Sequence, residues 1–161
     1  MEKNLSPDFL PDYMNEALEL ARAAALEDEV PVGAVIVFAG EVVGRGKNSR
    51  EKNQNPLGHA ELSAIEQASK KIGSWRLIDC DLYVTLEPCP MCLSACQQAR
   101  VRKVIYGASD EKGGAICLGY HVHNDEKMNH RFDVAYEARE ECSTMLKDFF
   151  AKKRSIGSTA K

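Results

Sequence analysis

No apolar run in this chain approaches the roughly 20 residues that a membrane-spanning helix needs. The opening residues Met1-Glu2-Lys3-Asn4 lack the basic start and apolar stretch of a secretory signal. A surplus of one charge is missing too. Lys and Arg number 21 against 24 Asp and Glu, a formal net charge of −3. The whole chain therefore carries no electrostatic sign of a polyanion partner, and any such sign must be local. No internal repeat and no interdomain linker interrupt the sequence. These absences predict a cytosolic protein of one domain, the count that 161 residues suggest. With 44% apolar and 28% charged residues, the composition excludes disordered, collagenous and coiled-coil classes. A chain of this size needs no disulfide staples. In a reducing compartment its six cysteines are expected to be buried, metal-bound or catalytic.

Hydrophobic periodicity orders the elements. Ser6-Pro7-Asp8 reads as a helix start, and apolar residues at helical spacing carry that helix to about Glu27. Val32–Phe38 is a continuous β-branched run, Ala39-Gly40 a turn, and Glu41–Gly46 a returning strand. Lys47–Gly58 reads as a loop, followed by a helix from about His59 that Gly73 ends. Asp81–Leu86 is a strand, Cys89–Arg100 a helix, and Lys103–Tyr106 a short strand. Residues 108–130 read as part loop and part short helix. A last strand is expected at Phe132–Val134, an amphipathic helix from Tyr136 to about Lys153, and a polar tail from Ser155. A hairpin followed by alternating strands and helices predicts one mixed sheet with helices on its faces.

Two short motifs carry chemistry. His59-Ala60-Glu61 alone is an ordinary polar pair. Cys89-Pro90-Met91-Cys92 alone fits a zinc half-site, a redox pair or two core thiols equally well. Together they place one nitrogen and two sulfur ligands at the starts of two helices, a donor set that suits zinc. No further Cys or His lies at a matching spacing, so the fourth position is expected to be open to water, the catalytic pattern. Two thiolates and a neutral imidazole leave such a centre near zero charge. A nearby base then helps, and Glu61 is placed to supply it.

His-x-Glu, then Pro-Cys-x-x-Cys after residues 62–87, is the known signature of the zinc-dependent nucleoside and nucleobase deaminases. Within that superfamily the chain resembles the bacterial tRNA-specific adenosine deaminases. The resemblance runs over about residues 8–154, through Glu29–Val35, Tyr83–Cys92, Tyr106–Ala115, Met128-Asn129-His130-Arg131 and Phe149-Phe150 with its basic neighbours. It implies a three-layer α/β fold, cytidine-deaminase-like, with a five-stranded mixed sheet, and one deaminase domain over residues 1–161 with a short basic tail from about residue 155. It implies conversion of adenosine to inosine at the wobble position of a tRNA anticodon, one zinc per chain, and a cytoplasmic homodimer. His59, Cys89 and Cys92 match the zinc ligands and Glu61 the proton shuttle. Asn48 matches a base-binding position, Ala60 the pocket wall, and Asp110 a position near the target nucleotide's backbone. The chain departs from the best-known relative at Lys47, where an aromatic residue is usual there, and at Ser109, where an arginine is.

The other readings are a deaminase of a free base or nucleotide, such as guanine or a cytosine compound, and a non-catalytic zinc- or RNA-binding module. Glu61 argues against the module, because a structural site has no use for an unliganded acid. Cys80, Cys96, Cys117 and Cys142 are expected as buried thiols and Trp75 as a packing residue. His121 and His123 lie in a polar loop and carry no assigned role. Five basic residues and one acid between Lys147 and Lys161 form the local cationic cluster that the whole-chain charge hides.

Overall fold

The structure, a computed structural model, describes residues 11–158. The helix start expected at Ser6-Pro7 lies outside them. Among the described residues α1 spans Tyr13–Leu26, its first amides capped by the Asp12 carboxylate, which accepts from Asn15 N–H at 3.0 Å. The strands β1 (Gly33–Phe38) and β2 (Glu41–Lys47) form the expected hairpin, followed by the short α2 (Arg50–Asn53) and by α3 (Ala60–Ile72). Then come β3 (Cys80–Val84), α4 (Pro90–Ala99), β4 (Lys103–Tyr106), β5 (Asp133–Tyr136) and α5 (Glu140–Ser158).

The five strands make one mixed sheet in the order β2-β1-β3-β4-β5. β1 is antiparallel to both β2 and β3, and β3, β4 and β5 run parallel. Four strands therefore point the same way and β1 alone points back. Ala34, Ile36, Leu82, Val84, Val104 and Tyr106 face one side, packed with Ala60, Ala64 and Ala68 of α3 and Leu93 and Cys96 of α4. On the other side Ile105 packs with Met14, Ala17 and Leu18 of α1 and Cys142 of α5. The result is the three-layer α/β architecture expected.

α3 lies against β2 with almost nothing between the two backbones. A Cβ at Gly46 would overlap the Ala60 carbonyl oxygen and lie 2.8 Å from Ala64 N. A Cβ at Gly44 would overlap the Ala64 carbonyl oxygen. Two glycines on the strand and three alanines on the helix thus form a seam of minimal side chains.

Several local expectations change. The loop Lys47–Gly58 contains α2, whose Glu51 and Lys52 amides donate to the buried Glu29 carboxylate at 3.3 and 2.6 Å. That partner is more than 20 residues upstream, beyond the reach of a local pattern. Residues 108–130 hold turns and no helix. Tyr136 ends β5 and does not open α5. It pairs with Tyr106, stacks on that ring at 5.1 Å, and the next residue continues the ladder, Glu137 N–H donating to Tyr106 O at 3.0 Å. The polar tail placed from residue 155 is helical through Ser158, and residues 159–161 lie outside the described ones. Cys80, Cys96 and Cys142 are buried as expected, but Cys117 is exposed. Trp75 is 55% exposed, with the Arg76 guanidinium 4.1 Å from its ring centroid, so it is not a core residue. The segment Met128–Arg131 folds back on the end of α4. Asn129 accepts from Arg100 at 2.9 Å, and the His130 ring lies 2.8 Å from the Val101 carbonyl oxygen.

The seam makes a sharp expectation. Gly46→Ala inserts a methyl group between two backbones that have no side chain to move, so it should destabilise the chain by about 1–3 kcal/mol or more. Urea unfolding with an unchanged m-value measures this. A midpoint equal to wild type would mean that the seam has room to spare.

Candidate active site

The topology decides where chemistry can gather. Because β2, β3 and β4 run the same way, their C-terminal ends share one edge of the sheet, and β1 begins there. Asn48 follows β2, Cys89 follows β3, Asp110 follows β4, and Val32 precedes β1. The N-termini of α3 and α4 point at the same edge, carrying His59 and Cys89 as the residues before each first turn. A cleft of about 640 Å³ opens there, lined by Asn48, His59, Ala60, Glu61, Cys89 and Asp110 among others. Ligand clefts at the carboxyl ends of strands are the general rule for open α/β sheets.

At its floor the His59 Nδ1 lies 3.4 Å from Cys92 Sγ and 3.7 Å from Cys89 Sγ. All three donor atoms fall within 4.8 Å of one another, the sole His/Cys/Asp/Glu cluster of this kind among the described residues. A tetrahedral zinc with Zn–S of about 2.3 Å and Zn–N of about 2.0 Å separates nitrogen from sulfur by about 3.5 Å, so the donor set fits that ion. The Cys92 side chain hydrogen-bonds Cys89 and, with His59, holds the Cys89 thiol far below its usual range, at about 4. The same hydrogen bond and burial push Cys92 the opposite way. The bond to Cys89 raises His59. The two sulfurs share a proton beside the imidazole, and a cation bound by this donor set would release it. Cys96, one turn further along α4, is not in the cluster, and burial pushes its thiol up.

Glu61 is buried in the first turn of α3, two residues from His59. Burial pushes its carboxyl up to about 6, against the opposing pull of the His59 charge. Asn48 is also buried. Its amide donates to Val30 O at 3.2 Å and its oxygen accepts from Arg50 N–H at 3.3 Å. An amide side chain offers two donors and two lone pairs, so one donor and one lone pair remain for the cleft. Asp110 accepts from the Lys112 and Gly113 amides at 3.1 and 3.0 Å, and so builds a turn at the cleft edge. Ala60 is fully buried at the start of α3. His121 and His123 lie elsewhere, their ring centroids 5.9 Å apart, and the latter packs edge-on to Phe132.

Sequence reasoning missed four contributors. Arg50 and Lys112 line the cleft, but single cations in loops give no periodic signal. Glu29 and Glu87 are 1% and 2% exposed. An acid directly against the edge of an apolar run, as in Glu29-Val30 and Leu86-Glu87, is the signal that could have found them. α5 also reaches the cleft, through Leu146 and Phe150.

The comparisons agree with this geometry. The profile of the MafB19-like deaminase family matches residues 11–154. A tRNA-specific adenosine deaminase of Bacillus subtilis is 43% identical over 150 residues, covering 92% of this chain and 93% of that one. A structure solved in a study of A-to-I editing by tRNA:A34 deaminases at the wobble position is 41% identical with a TM-score of 0.79, over 83% of this chain and 98% of that one. A guanine deaminase structure from Bacillus subtilis is 30% identical with a TM-score of 0.59, over 93% and 95%. With its fold, cleft and sequence all in agreement, the chain belongs to the deaminase family, among the tRNA-specific adenosine deaminases.

Proposed function

We propose that this chain deaminates adenosine to inosine at the wobble position of a tRNA anticodon, with one zinc ion held by His59, Cys89 and Cys92. The observation that carries the reading is the floor of the cleft, where one imidazole nitrogen and two sulfurs converge beside a buried carboxyl. A zinc ion held there supplies a water-derived nucleophile at neutral pH. Glu61 takes the proton of the attacking water and passes it to N1 of adenine, which makes C6 more electrophilic. It then moves a proton to the departing amine, and ammonia leaves. One carboxyl acts as base and then as acid, so it must reach both the water and the ring. Asn48 presents its remaining amide donor to the base, Ala60 forms the pocket wall, and Asp110 shapes the turn beside the target nucleotide. Arg50 and Lys112 at the cleft, with Lys152 and Arg154 on α5, supply cations for phosphates, and the partly exposed Phe150 supplies a face for stacking. The resemblance also supports a cytoplasmic homodimer, for which the exposed Trp75 and Ile78 offer apolar surface. Free guanine is the competing substrate, favoured by the 30% identical relative. Ammonia release with tRNA, together with A-to-G reads at the anticodon and no turnover of guanine or free adenosine, is the expected result. Turnover of guanine alone would select the other reading.

Cys92→Ser should lose metal and stability together, because the ligand sits in the first turn of α4. Metal analysis of the purified variant checks this, and full zinc content would remove Cys92 from the ligand set. Glu61→Ala should keep metal and fold and lose turnover by about 10²–10⁴-fold or more. Single-turnover rates decide it.

The charge cluster on α5 should tune affinity without touching chemistry. Lys153 is already paired with Asp28 at 2.6 Å, so Lys152 and Arg154 carry the expected gain. Each phosphate neutralised on a single strand adds a slope of about −0.7 in log affinity against log salt. Replacing Lys152, Lys153 and Arg154 by Ala should flatten the slope by about 1.4 while zinc content stays constant. Coincident slopes would place the RNA grip elsewhere.

A further inference from the structure

Glu87, the buried acid beside the cysteine turn, has no part in the proton path above. It stands two residues before Cys89 and lines the same cleft. Its backbone N–H donates to Ala108 O at 2.8 Å. Its carboxylate accepts from Cys117 twice, from the backbone N–H at 3.2 Å and from the thiol at 3.1 Å. The Pro88 carbonyl accepts from Ala115 N–H at 2.8 Å. The turn that carries Cys89 is therefore stitched to both ends of the segment 108–117. Gly114 completes the fit, because a Cβ there would overlap Glu87 Oε2 and lie 2.6 Å from Asp110 O. Between the stitched ends lie Ser109, Asp110, Lys112 and Gly113, all on the cleft wall. Inside this span the Asp110 turn, closed also by Gly114 N–H donating to Asp110 O at 2.9 Å, supplies the local order, and Ser109 Oγ lies 3.6 Å from Cys117 Sγ, so the span's position depends on its ends and on Cys117.

We propose that Glu87 is a positioning residue that sets the 109–113 wall against the nucleotides flanking the target adenosine. The inference rests on the function argued above. It assigns Glu87 to substrate binding and not to proton transfer or metal binding.

The test compares kcat, KM and metal content on an anticodon stem-loop RNA. Glu87→Ala removes both hydrogen bonds to Cys117 and should raise KM about ten-fold or more, with kcat and zinc content near wild type. Glu87→Gln keeps an acceptor oxygen for Cys117 N–H and should restore most of the loss. Cys117→Ala, at an exposed position that tolerates truncation, keeps the backbone bond to Glu87, loses the thiol's contacts with Glu87 and with Ser109 Oγ, and should raise KM about three-fold. It keeps the proposal open to refutation if Glu87→Ala does not fold. An unchanged KM in these variants overturns the proposal, as does a fall in kcat or in zinc with KM unmoved. Amide exchange over residues 109–117 should speed up in Glu87→Ala without any substrate present, and unchanged exchange also overturns it. Wild-type inactivity on the RNA would instead overturn the reading of function, leaving the exchange result to decide the role of Glu87.

Discussion

The contact of α3 with β2 is the constraint from which the site follows. A helix usually rests on a sheet through the side chains of both. Here Gly44 and Gly46 remove the strand's side chains, and Ala60, Ala64 and Ala68 reduce the helix's to methyl groups. Close packing of this kind has no spare volume, so the helix can neither slide nor rotate without overlap. His59 and Glu61 sit at the end of that locked helix. Their spacing from Cys89 and Cys92 is thereby fixed by backbone contact and not by flexible side chains.

The second half of the arrangement comes from α4. Its start is set by Pro90 at the first helical position, its core face by Leu93 and Cys96, and its end by Arg100 in a left-handed conformation. The crossover from β3 through α4 to β4 then aims the Cys89 end at the same sheet edge as α3. Two helix N-termini meeting there favour thiolates over thiols, since each end carries about half a positive charge. The site's electrostatics are thus a product of topology. The same edge collects the buried acids Glu29 and Glu87, which spend their charge on backbone amides of the neighbouring loops.

What could be read from the sequence depended on range. Val32–Phe38, the Ala39-Gly40 turn and the Gly73 cap were legible because β-branched runs and αL glycines act within a few residues. The convergence of His59 with Cys89 and Cys92 was legible because each motif sat at a helix start, and the structure brings all three donors together. α2 was not, because the Glu29 carboxylate that caps it comes from another part of the chain. Tyr136 followed its ladder partner Tyr106 and not its own helical periodicity. Cys117 was expected in the core because thiols are commonly buried. Cys117 instead lies in an exposed turn, with its thiol donating inward to the buried Glu87.

These two scales also divide the cleft mechanically. Its floor pairs the buried Glu61 and Cys92 with the half-buried His59 and Cys89, and moving the buried acid off its partners would strand a charge away from water, a costly move. The α5 side differs. Phe150 is 43% exposed, and beyond Leu146 the helix meets the body through the exposed ion pair of Lys153 with Asp28 and the half-buried Phe149 beside Leu26. Exposed pairs contribute little to stability and weaken with salt. Elements held this way open at lower free energy than the core does. A rigid floor beneath a compliant basic wall suits a substrate whose reacting base must be placed to a fraction of an ångström while the rest of the polynucleotide varies in shape. The cleft is therefore tight where the zinc donors and the buried acid converge, and looser along α5.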